Sequence, residues 1–374
     1  MFDLFTFFIY IFLLTIIIVL TNYRLKSSIY NLDLSSRLKS RQIIALLIIS
    51  FIVGFRYNVG VDWGSYKNFF EVINFQSFPF LAKLNIGILY YYINQEIASF
   101  GLSYEWMFFI VAIISWYFIF KSVPKSLLPL LLFFIFVDGI FFWSMNGVRQ
   151  FVSISIFLYS IRFIIKREPV KYFSCIFLAL LFHPSALLLV PIYFIPFSKL
   201  YNQKAWIIAY LISFAFSKNP FLISGLEKFF SNVANFIPIL SKYTNYFTTS
   251  DYSARQVAGT GLGVVFSSLI TFVILIFSKW IIDKNPQTRP YFILYFIGAI
   301  MYNLFFTFQI VGRFNMYFLI MKPVVLAILI GELLKSKTYR GLAIIISVLY
   351  FFLFLVTIYN SGNLCSPYHF SFLN

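Results

Sequence analysis

The sequence is short of charge. Only 11% of its 374 residues are Asp, Glu, Lys or Arg, against about 25% in an ordinary soluble domain. Too few polar groups are present to cover a water-facing surface, which excludes a soluble globular enzyme. Acidic residues are scarcest, 12 against 29 basic ones. No Asp-x-Asp, His-x-x-x-His or carboxylate pair at helical spacing occurs, so no metal site is expected and general bases are few. Histidine occurs only as His183 and His369, and cysteine only as Cys175 and Cys365; neither pair has metal-ligand spacing. Phosphate-loop and nucleophile-elbow patterns are missing too. No cofactor is expected, and no repeat or low-complexity tract interrupts the chain.

What fills the sequence is apolar. Hydrophobic residues make up 61%, with 52 Phe and 26 Tyr, as suits helices that face lipid and anchor at headgroup level. Runs such as Ile43 to Phe55 and Phe351 to Ile358 are apolar on nearly every face, as a lipid-exposed or fully buried helix must be. The net charge of +17 lies in short basic clusters between these runs. That is the pattern of cytoplasmic loops and not of a nucleic-acid-binding face. Met1 to Thr21 has neither a basic n-region nor a small-residue cleavage site and reads as a retained first helix.

The expected fold is therefore an all-α polytopic membrane protein forming one transmembrane domain over residues 1–374. Charge-free runs predict helices over Leu4–Tyr23, Gln42–Phe55, Glu105–Phe120, Leu127–Phe142, Val148–Ile165, Gly261–Ser278, Pro290–Phe308, Arg313–Gly331 and Gly341–Tyr359. Basic clusters around Arg37, Lys121, Lys166, Lys284 and Lys337 are placed in the cytoplasm. Parity then puts Leu84–Phe100 in the outer interface or makes it re-entrant. For Tyr172–Phe216 two solutions remain. In one, Tyr172–Pro191 spans once and Ala205–Phe216 lies flat. In the other, His183-Pro184 is the tip of a bent hairpin and Ala205–Phe216 makes the crossing. About ten spans result, with both ends outside and the main outer loops at residues 56–83 and 218–260.

Candidate chemistry gathers on the outer side. The stretch from Arg56 through Gly60, Asp62, Trp63 and Gly64 to Tyr66 combines a cation, a carboxylate, aromatics and glycines, a mixture suited to sugars. Its structural alternative is an interfacial anchor with an Arg56–Asp62 ion pair. Arg149, after Asn146-Gly147-Val148, is a cation at a helix N-terminus, where it opposes the macrodipole; either an anionic partner or lipid phosphates would hold it. Arg313 repeats that logic. Lys322, deeper in the same helix, needs a partner, and Asp138 is one candidate. Arg255 is a further outer cation or a solvated loop charge. His183-Pro184-Ser185 interrupts an apolar run, as a core histidine or as a functional one.

Four pieces occur in order: Arg56…Gly60-x-Asp62…Tyr66, Asn146-Gly147-x-Arg149-Gln150, Leu180-Leu181-Phe182-His183-Pro184-Ser185-Ala186, and Gly312-Arg313-Phe314-x-x-Tyr317-Phe318. In this the chain resembles the EpsG/Wzy-type bacterial polysaccharide polymerases over nearly its whole length. The resemblance implies a GT-C-like membrane glycosyltransferase in the bacterial cytoplasmic (inner) membrane, with its active site facing the periplasm or outside. It implies joining of oligosaccharide repeat units carried on undecaprenyl diphosphate, as in O-antigen or exopolysaccharide synthesis, without a metal. Implied partners are that lipid-linked oligosaccharide, membrane lipids and a chain-length regulator, and not nucleic acid. In such a site Arg56, Arg149, Arg255 and Arg313 would meet the diphosphate, Tyr66 the sugar, and Asp62 or His183 would be the base. An O-antigen-type ligase, a flippase of the same lipid-linked sugar and a membrane acyltransferase are the rival readings. Ligases of this fold tend to carry a larger outer domain, transporters keep their ionisable groups near the midplane, and no His–acid pair for an acyltransferase is visible.

Overall fold

The structure, a computed structural model, describes residues 3–22, 37–73, 86–219, 221–226, 228–229, 261–306 and 308–373. In chain order its main helices are α1 Leu4–Thr21, α2 Ser40–Gly54, α3 Trp63–Val72, α4 Ile88–Ser99, α5 Tyr104–Ser122, α6 Leu128–Val137, α7 Ile140–Ser144, α8 Val148–Ile165 and α9 Pro169–Phe182. There follow α10 Gln203–Ser217, α11 Leu262–Lys284, α12 Arg289–Phe305, α13 Gln309–Leu319, α14 Met321–Lys335 and α15 Arg340–Tyr359. No β-strand is present among the described residues; the one bridge pairs Arg56 with Phe370. Among the described residues, six stretches are long and apolar enough to cross a membrane: Leu4–Thr21, Tyr104–Ser122, Val148–Ile165, Gly263–Lys284, Val311–Lys335 and Arg340–Tyr359. Shorter apolar helices accompany them. The protein is an all-α polytopic membrane protein.

Local chemistry sets many helix ends. Asp3 caps α1 by accepting from the amides of Phe5 and Thr6. Pro169 opens α9 and Pro290 lies in the first turn of α12, where a missing N–H costs nothing. The apolar run Leu127–Phe142, expected as one helix, is two: α6 ends at Asp138-Gly139 and α7 begins after it. Gly139 takes a left-handed backbone, which a charge-free run does not reveal.

The chain divides into two compact units, residues 1–195 with 326–374, and residues 196–325. Within the first unit α1, α2, α5, α8 and α9 neighbour one another in that order, and α6 packs on α1 and α15. Buried serines make this close approach compatible with polar atoms. Ser155 and Ser160 donate to carbonyls of their own helix, and Ser153 reaches across to the Ala179 carbonyl of α9 at 2.7 Å. Helix α4, about 18 Å long at 1.5 Å per residue, is too short to span; it rests on α3, α5 and α9.

After α9 the chain folds back. Pro184–Phe194 is a 3₁₀ segment with Pro191 inside it. It runs antiparallel to α9: the Tyr172 hydroxyl donates to the Leu189 carbonyl at 2.7 Å, and the Tyr172 and Tyr193 rings lie 5.3 Å apart. The single span over Tyr172–Pro191 that the sequence allowed is not formed; the chain makes a bent hairpin with His183-Pro184 at its tip.

The second unit holds its helices by polar contacts between them. Asn303 donates to Ser213 at 3.0 Å, Asn315 to the Gly298 carbonyl at 2.9 Å, and Thr271 meets the Tyr295 hydroxyl at 2.7 Å. Lys322 is buried, with its Nζ 3.3 Å from Ser267 Oγ.

Candidate functional site

One end of the first unit gathers the start of α1, the loop after α2, the start of α8 and the C-terminal tail. Ser371 donates to the Phe55 carbonyl at 2.9 Å, Tyr57 to that of His369 at 2.8 Å, and Gly60 to that of Leu364 at 2.8 Å. The Tyr368 amide donates to Thr6 Oγ1 at 2.7 Å, and its hydroxyl to the Ile52 carbonyl at 2.8 Å. Asn146 ties the loop to the helices: its Oδ1 accepts from the Val61 amide while its Nδ2 donates to the Phe142 carbonyl at 3.1 Å. Gly60 has φ +103°, and a Cβ there would lie 3.0 Å from Asn146 Oδ1. Both its backbone and its tight fit therefore require glycine.

Arg56 sits beneath this loop, wholly buried. Its Nε donates to the Val59 carbonyl at 3.1 Å, Nη2 to that of Met145 at 2.9 Å, and Nη1 to that of Val53. Its guanidinium lies 4.1 Å from the centre of the Phe108 ring. Burial pulls its pKa down to about 10, so it stays a cation at neutral pH. The sequence suggested a rim cation facing a ligand or Asp62. Instead Arg56 spends its donors on three peptide carbonyls and clamps the loop. A lone arginine beside an outer loop does not reveal which oxygens will surround it.

Above Phe108 runs a row of rings. Tyr66 stands edge-on to Phe108 at 6.1 Å and to Tyr90 at 6.2 Å, and Phe69 stacks on Tyr90 at 5.8 Å. Arg149 lies 5.7 Å from the centre of the Tyr90 ring. So α3, α4 and α8 meet at Tyr90, which sequence reasoning did not single out. The signal was there in Tyr90-Tyr91-Tyr92, an aromatic triplet in a run too polar to span. Asp62 begins α3 half-exposed, and its carboxylate caps no amide of that helix. Trp63 donates from Nε1 to the Arg56 carbonyl at 3.2 Å, which fixes the residue next to Asp62.

His183 belongs to the same end by register. The Ser153–Ala179 hydrogen bond aligns the antiparallel helices α8 and α9. Arg149 is four residues before Ser153 and His183 four after Ala179, so both lie about one turn beyond that bond, at one level. Gly87, which precedes α4, lies so close to the end of α9 that a Cβ would overlap the Phe182 carbonyl oxygen. Helix α4 thus starts on the His183 turn and carries Tyr90 to Arg149 one turn later. His183 Nδ1 is 2.6 Å from Ser185 Oγ and 3.3 Å from the Ser185 amide nitrogen.

The structure brings Asp62, Tyr66, Arg149 and His183 to one end of the first unit. Arg313 is on α13 in the second unit, exposed, two residues before the Asn315 that fastens α13 to α12. Arg255 lies outside the described residues, as do 74–83 and most of 218–260. Among the described residues no three His, Cys, Asp or Glu side chains come together.

The model of the EpsG family matches residues 42–370 of the chain. No curated protein and no solved structure matches it.

Proposed function

The chain belongs to the EpsG family, a membership that points to polysaccharide synthesis in a membrane, and from that premise we propose that it polymerises undecaprenyl-diphosphate-linked oligosaccharide repeat units at the outer face of the cytoplasmic membrane. The observation that carries this reading is the meeting of three of the four sequence pieces at one end of the first unit. The ends of α3, α4, α8 and α9 carry a carboxylate, a tyrosine row, an arginine and a histidine there.

The chemistry follows from these groups. A hydroxyl of the acceptor repeat unit attacks the anomeric carbon of the donor glycan. Asp62 takes the hydroxyl proton. The bond from that carbon to the diphosphate oxygen breaks, and its electron pair leaves with the lipid diphosphate. Direct displacement inverts the anomeric configuration. The departing diphosphate gains charge, and a fixed guanidinium donor stabilises it without reorganising; Arg149 supplies this role. Tyr66, half-buried, offers its ring to the sugar, and the buried Tyr90 supports Tyr66 and Arg149 from beneath. Arg56 acts through the loop it clamps and touches no substrate.

The test uses the purified full-length protein and lipid-linked repeat units in the presence of EDTA. Polymer longer than one unit is the expected product. Activity lost to EDTA and restored by magnesium or manganese would replace fixed cations with a metal. Transfer of preformed glycan to a different acceptor, with no polymer, would make the protein a ligase.

A further inference from the structure

A guanidinium carries five N–H groups, and Arg56 gives three of its own to the Val53, Val59 and Met145 carbonyls. The others are shut away from bulk water with the rest of the side chain, which is wholly buried. Among the described residues no carboxylate pairs with it. Arg56 forms part of the wall of a cavity between α2, α5, α7 and α8. The cavity volume is about 10 Å³, room for one water. Every residue that lines it is buried. Besides Arg56, its polar residues are Ser115 of α5 and Ser144 of α7, and the rest of the wall is apolar, Ala112 included. Each serine spends its hydrogen on its own helix. Ser115 Oγ donates to the Val111 carbonyl at 2.9 Å, and Ser144 Oγ to the Phe141 carbonyl at 2.6 Å. What they can still offer is oxygen lone pairs.

We propose that this cavity is a binding site for one structural water, which accepts from Arg56 and donates to the serine oxygens. The wall selects its occupant by combining N–H donors with lone pairs. An anion would be drawn to the guanidinium but would meet the serine lone pairs. A cation would be repelled by Arg56. An apolar filling would strand N–H groups in the interior, at a cost. Water both accepts and donates, and a buried water typically makes about three hydrogen bonds to such groups. Bound there, it fastens Arg56 to α5 or α7 in addition to the three carbonyl bonds. Arg56 clamps the loop that leads to Asp62, so the water is one more fixture of that loop. The site concerns the anchorage of Arg56 and stands whether or not the chain is a polymerase.

The direct test is electron cryo-microscopy of the full-length protein in lipid nanodiscs, carried to a map that shows ordered waters. One peak is expected within about 3.2 Å of an Arg56 nitrogen and of at least one of the two serine oxygens. No peak between well-defined side chains overturns the site. The energetic test is a change of sign. Ala112→Val adds two methyl groups to the wall and displaces the water. With Arg56 in place this strands its N–H groups, and the unfolding temperature should fall by about 2–5 °C. In an Arg56→Met background nothing there needs a water, and the same methyl groups should leave the unfolding temperature unchanged or raise it. Steric strain alone would lower both by the same amount, and equal falls overturn the proposal. If Arg56→Met yields too little folded protein to compare, the map still decides. Exchange of chloride for gluconate should leave the unfolding temperature of the wild type unchanged. A saturable rise with chloride would put an anion in the cavity and overturn the water.

Discussion

Arg56 and Arg149 occupy neighbouring corners of the same helix unit and live under opposite conditions. Arg56 is wholly buried, with three backbone carbonyls on its guanidinium and a tail segment over its loop. Arg149 is partly exposed at a helix start, against the face of Tyr90. A buried guanidinium that has found its acceptors builds architecture, because removing it strands those acceptors. A partly exposed cation at a helix N-terminus opposes the macrodipole, and in the proposed reaction Arg149 meets the diphosphate. The comparison sets a scaffold of Arg56, Asn146, Gly60 and the tail apart from the proposed reactive set of Asp62, Tyr66, Arg149 and His183.

The largest effect should come from Asp62→Asn. The substitution keeps the shape and removes the charge and basicity. Loss of a general base costs about 10²–10⁴-fold, whereas an exposed ion pair is worth only ~0–1 kcal/mol. Expected products are single repeat units from a protein that inserts and purifies normally. Full-length polymer from this variant would move Asp62 out of the reactive set.

Arg149→Lys comes next. Lysine keeps the charge but loses the planar fork that meets a diphosphate with two parallel bonds. A fall of about 10²–10³-fold in polymer formation is expected, with unchanged thermal unfolding. Normal polymer from Arg149→Lys would mean that the residue serves only as a point charge to lipid phosphate.

Arg56→Met tests the other side of the division. It keeps apolar contact with Phe108 but leaves three carbonyls without their donor, each at a cost of about 1–3 kcal/mol where water cannot reach. The amount of folded protein and its unfolding temperature should fall by more than turnover per folded molecule does. A variant that folds normally but does not turn over would return Arg56 to the reactive set.

The division explains what could be read from the sequence. Membrane class and most helix positions follow from apolar run length and charge placement, which are local properties. The roles of Arg56 and Arg149 were not separable, since both read as a cation beside an outer loop. What separates them is contact with residues far along the chain, Met145 in one case and Tyr90 in the other. The break at Asp138-Gly139 escaped for a related reason: its flanks are equally apolar, and only backbone geometry marks it. The segment at His183 was open to two solutions because Tyr172–Pro191 is almost wholly apolar and could either span once or turn back at His183-Pro184. Ring contacts from Tyr172 and Phe173 to Tyr193 and Phe194 select one.

The smallest expected effect is also the most local. Cys365 lies in the tail, 1% exposed, with its Sγ near Asn146 Nδ2 at 3.7 Å. Burial pushes its thiol up to about 12. The thiolate is the reactive form, so at pH 8 roughly one molecule in 10⁴ would carry it, against about a quarter for an ordinary thiol near 8.5. With Cys175→Ser leaving one thiol, a membrane-permeant maleimide should therefore fail to label Cys365 in native membranes and label it after unfolding. Asn146→Ala removes the acceptor for Val61 and the contact to Cys365 together, so it should raise the labelling rate while most of the protein stays folded. Polymer formation should fall several-fold in step, because the loop carrying Asp62 has lost its tie to α8. Rapid labelling in the wild type would show that the tail does not seal the loop. Faster labelling in Asn146→Ala with unchanged polymer would show that the seal and the reactive set are independent, and Asn146 would then serve stability alone.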